Sequence, residues 1–309
     1  MLESHKPPLA ASGETGWSAV IDIGSNSCLL LVARRRADGS LLVHSDTSTV
    51  TRLSEGAAQC GRLRPEAIAR TLACLETYAA TARALGCTCR AVATEAVRMV
   101  ADADRFLEPA AKVLGAPVEL LSGEQEARLS YLSVALEHPT DESLRVLDIG
   151  GGSTELVCGR GREIHSSESH PIGSVRLTEA HVTSDPPSPA NLAAIEAHAQ
   201  RVFAAQRIDP YPELCGLAGT ITSAAALGLG LARYERHRVD GSRFSVDQMR
   251  ALRDELATES SEQRASRPAL GPGRADVIVA GMTILLCALQ HCGAQTLLVR
   301  DRGLRYALL

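Results

Sequence analysis

The chain has 309 residues, 45% of them hydrophobic, and sets 32 Lys+Arg against 36 Asp+Glu for a formal charge of −4. That is enough apolar material for two domains with real cores, which excludes a disordered chain, a fibre or a disulfide-built mini-protein. The mild acidity excludes a general nucleic-acid binder, whose sequence-independent grip needs a basic surface.

Residues 1–16 are polar, with Pro7-Pro8 and two glycines, and read as a mobile arm. Order begins at Ser18. Ala19 to Gly24 is a buried strand entering the turn Ser25-Asn26-Ser27, and Cys28 to Val32 is a second strand. From Pro65 to Leu85 the apolar positions Ile68, Leu72, Leu75, Ala79 and Ala82 step by three and four, with Pro65 at the first turn and Gly86 beyond the end, which predicts an amphipathic helix. Ala91 to Thr94 reads as a short strand leading into a polar loop with Arg98. Val118 to Leu121 is another strand, and Ser122-Gly123-Glu124-Gln125 has the capping-box pattern of a helix that runs to about Ala135.

Turn formers cluster over Glu137 to Glu142, which we read as a boundary between a domain at 17–136 and one at 137–309. The pattern then restarts: Arg145 to Ile149, Gly150-Gly151-Gly152-Ser153-Thr154, and Glu155 to Cys158. Asp22-Ile23-Gly24-Ser25 and Asp148-Ile149-Gly150-Gly151 stand 126 residues apart in the same setting, so the plan is duplicated. Ser188 caps a helix expected through Phe203, with Pro in its first turn. Leu214 to Leu217 is a strand whose end, Ala218-Gly219-Thr220, opens a helix through about Leu227. Asp276 to Leu289 is apolar nearly all round and predicts a buried helix. Thr296 to Val299 is the last strand, and Gly303-Leu304-Arg305 opens a terminal helix expected to pack back on the first domain.

The nine cysteines include only one close pair, Cys87-Thr88-Cys89, too tight for a zinc knuckle, so buried reduced thiols are expected. No secretory h-region and no run of 18 apolar residues is present, which predicts a soluble, cytoplasmic protein. Aromatic residues make up 3%, with Trp17 the single Trp, and argue against a base-stacking platform. Thirty of the 32 basic residues are Arg, Lys6 and Lys112 being the others. A guanidinium can hold phosphate bidentately, yet the 46 alanines point to a GC-rich genome as the main cause of the bias.

The chemistry concentrates in the glycine turns. Glycine lets the main chain approach an anion that a Cβ would keep away. Neither turn has GxxxxGK[ST], which excludes a P-loop, and β-type runs follow them where a Rossmann motif needs a helix. Asp22, Asp148 and Glu155 stand at or near the strand ends beside these turns. Carboxylates next to a bound phosphate repel it unless a divalent cation intervenes, so Mg²⁺ is implied, held by Asp22, Asp148 and Glu155. Each Asp alone is as well read as a cap of its own turn. Glu124 and Glu126 are read alone as acids answering a helix dipole; Gly219-Thr220 is a third, weaker phosphate contact.

Seven ordered segments, Asp22 to Ser27, Ala93 to Arg98, Ser122 to Leu129, Asp148 to Glu155, Gly173 to Thr178, Gly219-Thr220 and Gly273 to Ile278, resemble the exopolyphosphatase / guanosine pentaphosphate phosphohydrolase (Ppx/GppA) family over residues 18 to 309. The resemblance implies an α/β fold of the actin, sugar-kinase and Hsp70 type (ribonuclease H-like): duplicated domains with a central cleft. It implies release of terminal orthophosphate from inorganic polyphosphate or from pppGpp with Mg²⁺, in a homodimer. By the same resemblance Glu126 is the catalytic base, and Asp148 and Glu155 are catalytic or metal-linked. Leu29, Glu95, Gln125 and Arg300 depart from residues common in relatives. The chain also stops where longer relatives add a helical domain, from which short polyphosphate chains are the expected substrate.

In the expected reaction water attacks the terminal phosphorus in line, with Glu126 as base. The turns Gly24, Ser25, Asn26, Ser27 and Gly150, Gly151, Gly152, Ser153, with Gly219 and Thr220, bind phosphate, and Arg98 is a charged clamp. Arg128, Arg176 and Arg274 are further candidates. With a net charge of −4, affinity for a polyanion is expected to come from a locally positive cleft. The alternatives are pppGpp hydrolysis in the same site, phosphoryl transfer by a kinase, and a catalytically silent sensor of polyphosphate or alarmone.

Overall fold

The computed structural model describes residues 16–138, 142–271 and 273–309. The N-terminal arm therefore lies outside the described residues but for Gly16, as do Pro139 to Asp141 of the expected boundary.

Two mixed sheets carry the chain. The first is built from β1 (Ser18–Ile23), β2 (Ser27–Arg35), β3 (Leu41–Val50), β4 (Cys89–Ala93) and β5 (Val118–Leu120), in the order β3-β2-β1-β4-β5. Its helices are α1 (Ala57–Cys60), α2 (Pro65–Ala84), α3 (Glu95–Arg98), α4 (Asp104–Leu114) and α5 (Gly123–Ala135). The second has β6 (Ser143–Ile149), β7 (Thr154–Arg160), β8 (Glu163–His170), β9 (Glu213–Leu217), β10 (Arg243–Ser245) and β11 (Thr296–Val299), in the order β10-β11-β9-β6-β7-β8. With it go α6 (Ser174–His181), α7 (Pro189–Phe203), α8 (Ala218–Gly228), α9 (Arg236–Val239), α10 (Val246–Ala257), α11 (Ser261–Ala265) and α12 (Ile278–His291).

The duplication is visible in the pairing. In each sheet a three-stranded antiparallel meander is continued by two parallel strands: β1-β2-β3 then β4 and β5, and β6-β7-β8 then β9 and β11. Asp22 sits opposite Leu29 and Asp148 opposite Glu155, so Leu29 occupies the place that Glu155 holds in the second copy.

Local sequence explains most boundaries. Pro65 stands at the first turn of α2, whose Leu75, Tyr78, Ala79 and Ala82 are buried, and Gly86 follows it with φ +68°. Every residue of α12 from Ile278 to Leu289 is buried, as its all-round apolar sequence requires. Tertiary packing changed the rest. The expected polar loop after β4 is the short helix α3, and α12 starts at Ile278, two residues later than expected, with Asp276 just before it paired to Arg52 on the loop after β3. The terminal helix is a single 3₁₀ turn, Leu304–Tyr306. Strands β3 and β8 were not expected; they are polar edges, exposed or half-buried for most of their length and recruited by backbone pairing.

Two segments cross between the halves. Helix α5 follows the first sheet in sequence, but Ala127, Tyr131, Val134 and Ala135 on its apolar face pack on Val146, Val157, Cys215 and Leu217 of the second. In return Leu304 packs with Val92 and Leu121, and Tyr306 with Leu31 and Ala33. All nine cysteines are free thiols, and only Cys60 is exposed. Among the described residues no helix is long and apolar enough to cross a membrane.

Candidate active site

A cleft of about 990 Å³ runs between the halves, bordered by the ends of β1, β6 and β9. The first two ends are built alike. The Gly24 amide donates to the Ser27 carbonyl at 3.0 Å, and the Gly150 amide donates to Ser153 at the same distance. A Cβ on either glycine would lie 3.0–3.1 Å from that carbonyl oxygen, a tight approach that a side chain could make only if the turn shifted slightly. At the third end Ala218 takes φ +69°, a left-handed conformation costly for alanine, and Gly219 and Thr220 follow in α8. All ten turn residues expected to meet phosphate border the cleft: Gly24 to Ser27, Gly150 to Ser153, Gly219 and Thr220.

Glu126 comes from α5, which starts at a complete capping box. The Ser122 hydroxyl accepts from the Gln125 amide at 3.2 Å, and the Ser122 amide donates to Gln125 Oε1 at 2.7 Å. Glu126 is 8% exposed and borders the cleft. Burial, and then the charge of Glu155, hold its carboxyl well above the usual carboxylate range, while Arg98 pulls it partly back. Asp22, only 8% exposed, has an Oδ1 with no hydrogen-bond partner, and burial pushes its carboxyl up to about 7. Burial also raises Asp148, which accepts from Ser130 Oγ at 2.6 Å. Glu155 is pushed up to about 8 by burial and by Asp148, and accepts from Ser169 Oγ at 2.7 Å.

Two expected residues sit elsewhere. Arg98 does not border the cleft: its guanidinium donates to the Leu121 carbonyl at 2.7 Å and to Glu126 Oε2 at 3.3 Å. The free phosphate clamp is thus corrected to a partner of Glu126, placed by the unforeseen helix α3. Glu155 stands opposite Asp148 on the neighbouring strand β7 and is not among the residues that border the cleft. Among the described residues no three His, Cys, Asp or Glu converge to hold a metal ion by themselves. The trio Asp22, Asp148 and Glu155 is therefore not a ready-made cage; two of its carboxylates, Asp22 and Asp148, face the cleft.

The cleft carries charges of both signs. Arg52, Arg70, Arg236, Arg274, Arg302 and Arg305 border it, against Asp22, Asp46, Glu126, Asp148 and Asp301. Most of these arginines already hold carboxylates: Arg52 with Asp276 at 2.6 Å, Arg305 with Asp46 at 2.7 Å, Arg302 with Glu137 at 2.6 Å, and Arg236 with Asp46 and Asp301. Arg274 donates instead to Ser223 Oγ at 2.7 Å and to the Gly219 carbonyl and Ser48 Oγ. Six guanidinium groups thus border the cleft with five carboxylates, three of which, Asp22, Glu126 and Asp148, are raised by burial; a cation bound beside them would favour their ionised forms. Sequence reasoning missed Asp46, Arg52, Arg236 and Arg305, because each comes from a segment with no motif and is assembled only by tertiary contact. Arg128 is exposed on α5, away from the cleft, and Arg176 is turned to Glu95.

Residues 31–309 match the Ppx/GppA phosphatase family. Over 287 residues the chain is 38% identical to Exopolyphosphatase 2 of Mycobacterium tuberculosis, covering 86% of this chain and 88% of that one. A crystal structure of the Aquifex aeolicus member of the Ppx/GppA family superposes with a TM-score of 0.80 at 34% identity, over 95% of this chain and 96% of the other. An exopolyphosphatase structure from Cytophaga hutchinsonii superposes with a TM-score of 0.87 over 94% and 96% of the two chains; at 23% identity it speaks for the fold alone.

Proposed function

The chain belongs to the Ppx/GppA phosphatase family, and from that membership we propose that it is an exopolyphosphatase, a phosphohydrolase that releases terminal orthophosphate from inorganic polyphosphate. The observation that carries this reading is the placing of a buried carboxylate with a raised pKa, Glu126, on the same cleft as two matching glycine turns.

The turns at Gly24 to Ser27 and Gly150 to Ser153 bind successive phosphates, and Gly219-Thr220 at the start of α8 adds a third contact. Glu126 accepts a proton from water as the water oxygen bonds to the terminal phosphorus; the P–O anhydride bond breaks and the shortened chain leaves with the bonding electrons. Arg98 orients Glu126 and opposes part of the rise in its pKa. Mg²⁺ fits the residues present: it keeps several waters and takes one or two carboxylates plus phosphate oxygens, and Asp22, with its orphaned buried oxygen, and Asp148 supply those. When bound it neutralises charge on the transferring group. Glu155, paired with Asp148 across β6 and β7, adds a second buried carboxylate beside it.

A second reading is hydrolysis of pppGpp at the same site. The residues that border the cleft include the apolar Leu29, Ile149, Pro268 and Leu270, which a bare phosphate chain does not need and a nucleoside can use. A cytoplasmic homodimer completes the proposal, with sedimentation as its check. The deciding experiment measures orthophosphate release from polyphosphates of defined length and from pppGpp, in Mg²⁺. We expect the higher kcat/KM on polyphosphate; the reverse order selects the second reading, and no release from either sinks both.

A further inference from the structure

Glu95 and Arg176 take no part in the hydrolysis scheme and do not border the cleft. They line a second, small cavity of about 110 Å³ that shares Gly152 with it. Glu95 opens α3 directly after β4 and is 5% exposed. Its Oε2 accepts from Ser25 Oγ of the first glycine turn at 3.3 Å, and its Oε1 pairs with Arg176 on α6. Arg176 in turn holds the second glycine turn: Nε donates to the Gly152 carbonyl at 3.0 Å, and its backbone amide to the Gly151 carbonyl at 3.0 Å. One ion pair thus ties both turns together across the halves.

The fit is close. A Cβ on Gly152 would lie 1.7 Å from Glu95 Oε2 and 2.9 Å from Ser25 Oγ, and one on Gly151 would lie 3.0 Å from Ser25 Cβ. Glycine at both positions lets the turns meet with the carboxylate between them. A charge pair withdrawn from water contributes little net stability, but it fixes geometry where each partner is further hydrogen-bonded, as both are here.

We propose that the Glu95–Arg176 ion pair is a latch that sets the spacing of the two glycine turns before substrate arrives, making Glu95 and Arg176 positioning residues for phosphate binding. The proposal rests on the reading of these turns as phosphate holders. Without the latch the turns separate and substrate binding has to restore their spacing, so KM rises while the step catalysed by Glu126 in the bound state is untouched.

The test uses the full chain with spin labels at Glu66→Cys on α2 and Glu196→Cys on α7, both exposed, in a Cys60→Ser background. Glu95→Gln removes the charge and keeps the shape; Arg176→Lys keeps the charge but cannot hold Glu95 and Gly152 together. Pulsed distance measurements without substrate are expected to show a longer and broader separation in each variant. KM for a defined polyphosphate should rise about tenfold with kcat nearly unchanged, and the double variant should be no worse than the poorer single one. An unchanged distance distribution in both variants overturns the latch, as does a fall in kcat with KM unmoved. The distances need no turnover: a wild-type protein inert on polyphosphate would fail the functional reading and leave this test standing.

Discussion

Glu126 shows how little one residue says before its surroundings are known. In the sequence it is one of two acids in the first turn of a helix; in the structure it is buried, on the cleft, and tied to Arg98. Glu126→Gln should lower kcat by roughly 10²–10⁴ while polyphosphate still binds, measured by orthophosphate release alongside equilibrium binding. The pH profile follows from the same contacts. A base works when deprotonated, and burial raises the Glu126 pKa, so kcat falls on acidification at a higher pH than an ordinary carboxylate would give. Arg98 lowers that pKa. Arg98→Ala should therefore move the acid limb of the kcat profile to higher pH; a limb that stays in place or moves down separates Arg98 from Glu126.

At the level of elements, the parts with local signatures were legible. The Ser122 and Ser188 caps, Pro65 at the start of α2 and the two Asp-Ile-Gly strand ends are short-range patterns whose physics acts within a few residues. Strands β3 and β8 were not legible, because each is a polar edge strand without the apolar alternation that marks a half-buried strand, and it is held by backbone pairing with the strand just before it. Helix α5 carries the candidate base, so its start matters to the site. Ser122→Ala removes one bond of the capping box and should cost about 1 kcal/mol, seen as a Tm lower by about 2 °C. The cut in kcat should be far smaller than that of Glu126→Gln, since the helix is also held by its apolar face on the second sheet.

For the whole molecule, the buried carboxylates make stability depend on pH. Asp22 rises from 3.8 to about 7 on folding and Glu155 from 4.5 to about 8. Between the unfolded and folded values the native state holds more protons, so stability is greatest below about pH 4 for these groups and falls as pH rises towards 8. A cation at Asp22 and Asp148 opposes that fall. Mg²⁺ should raise the unfolding temperature more at pH 8 than at pH 5, and a chelator should reverse the gain; an equal shift at both pH values would remove these carboxylates from the metal site.

The sequence alone determined the duplicated strand-turn-strand plan, the glycine turns, the caps and the carboxylates beside them, because each is written in neighbouring residues. Tertiary structure decided what those residues face. It turned Arg98 from substrate to base, left Glu155 beside Asp148 but off the cleft lining, brought Asp46, Arg236 and Arg305 to the cleft from segments without a motif, and set acids among the cleft's arginines. Charge is counted along a chain but felt through space, and only the fold fixes the distances over which it acts.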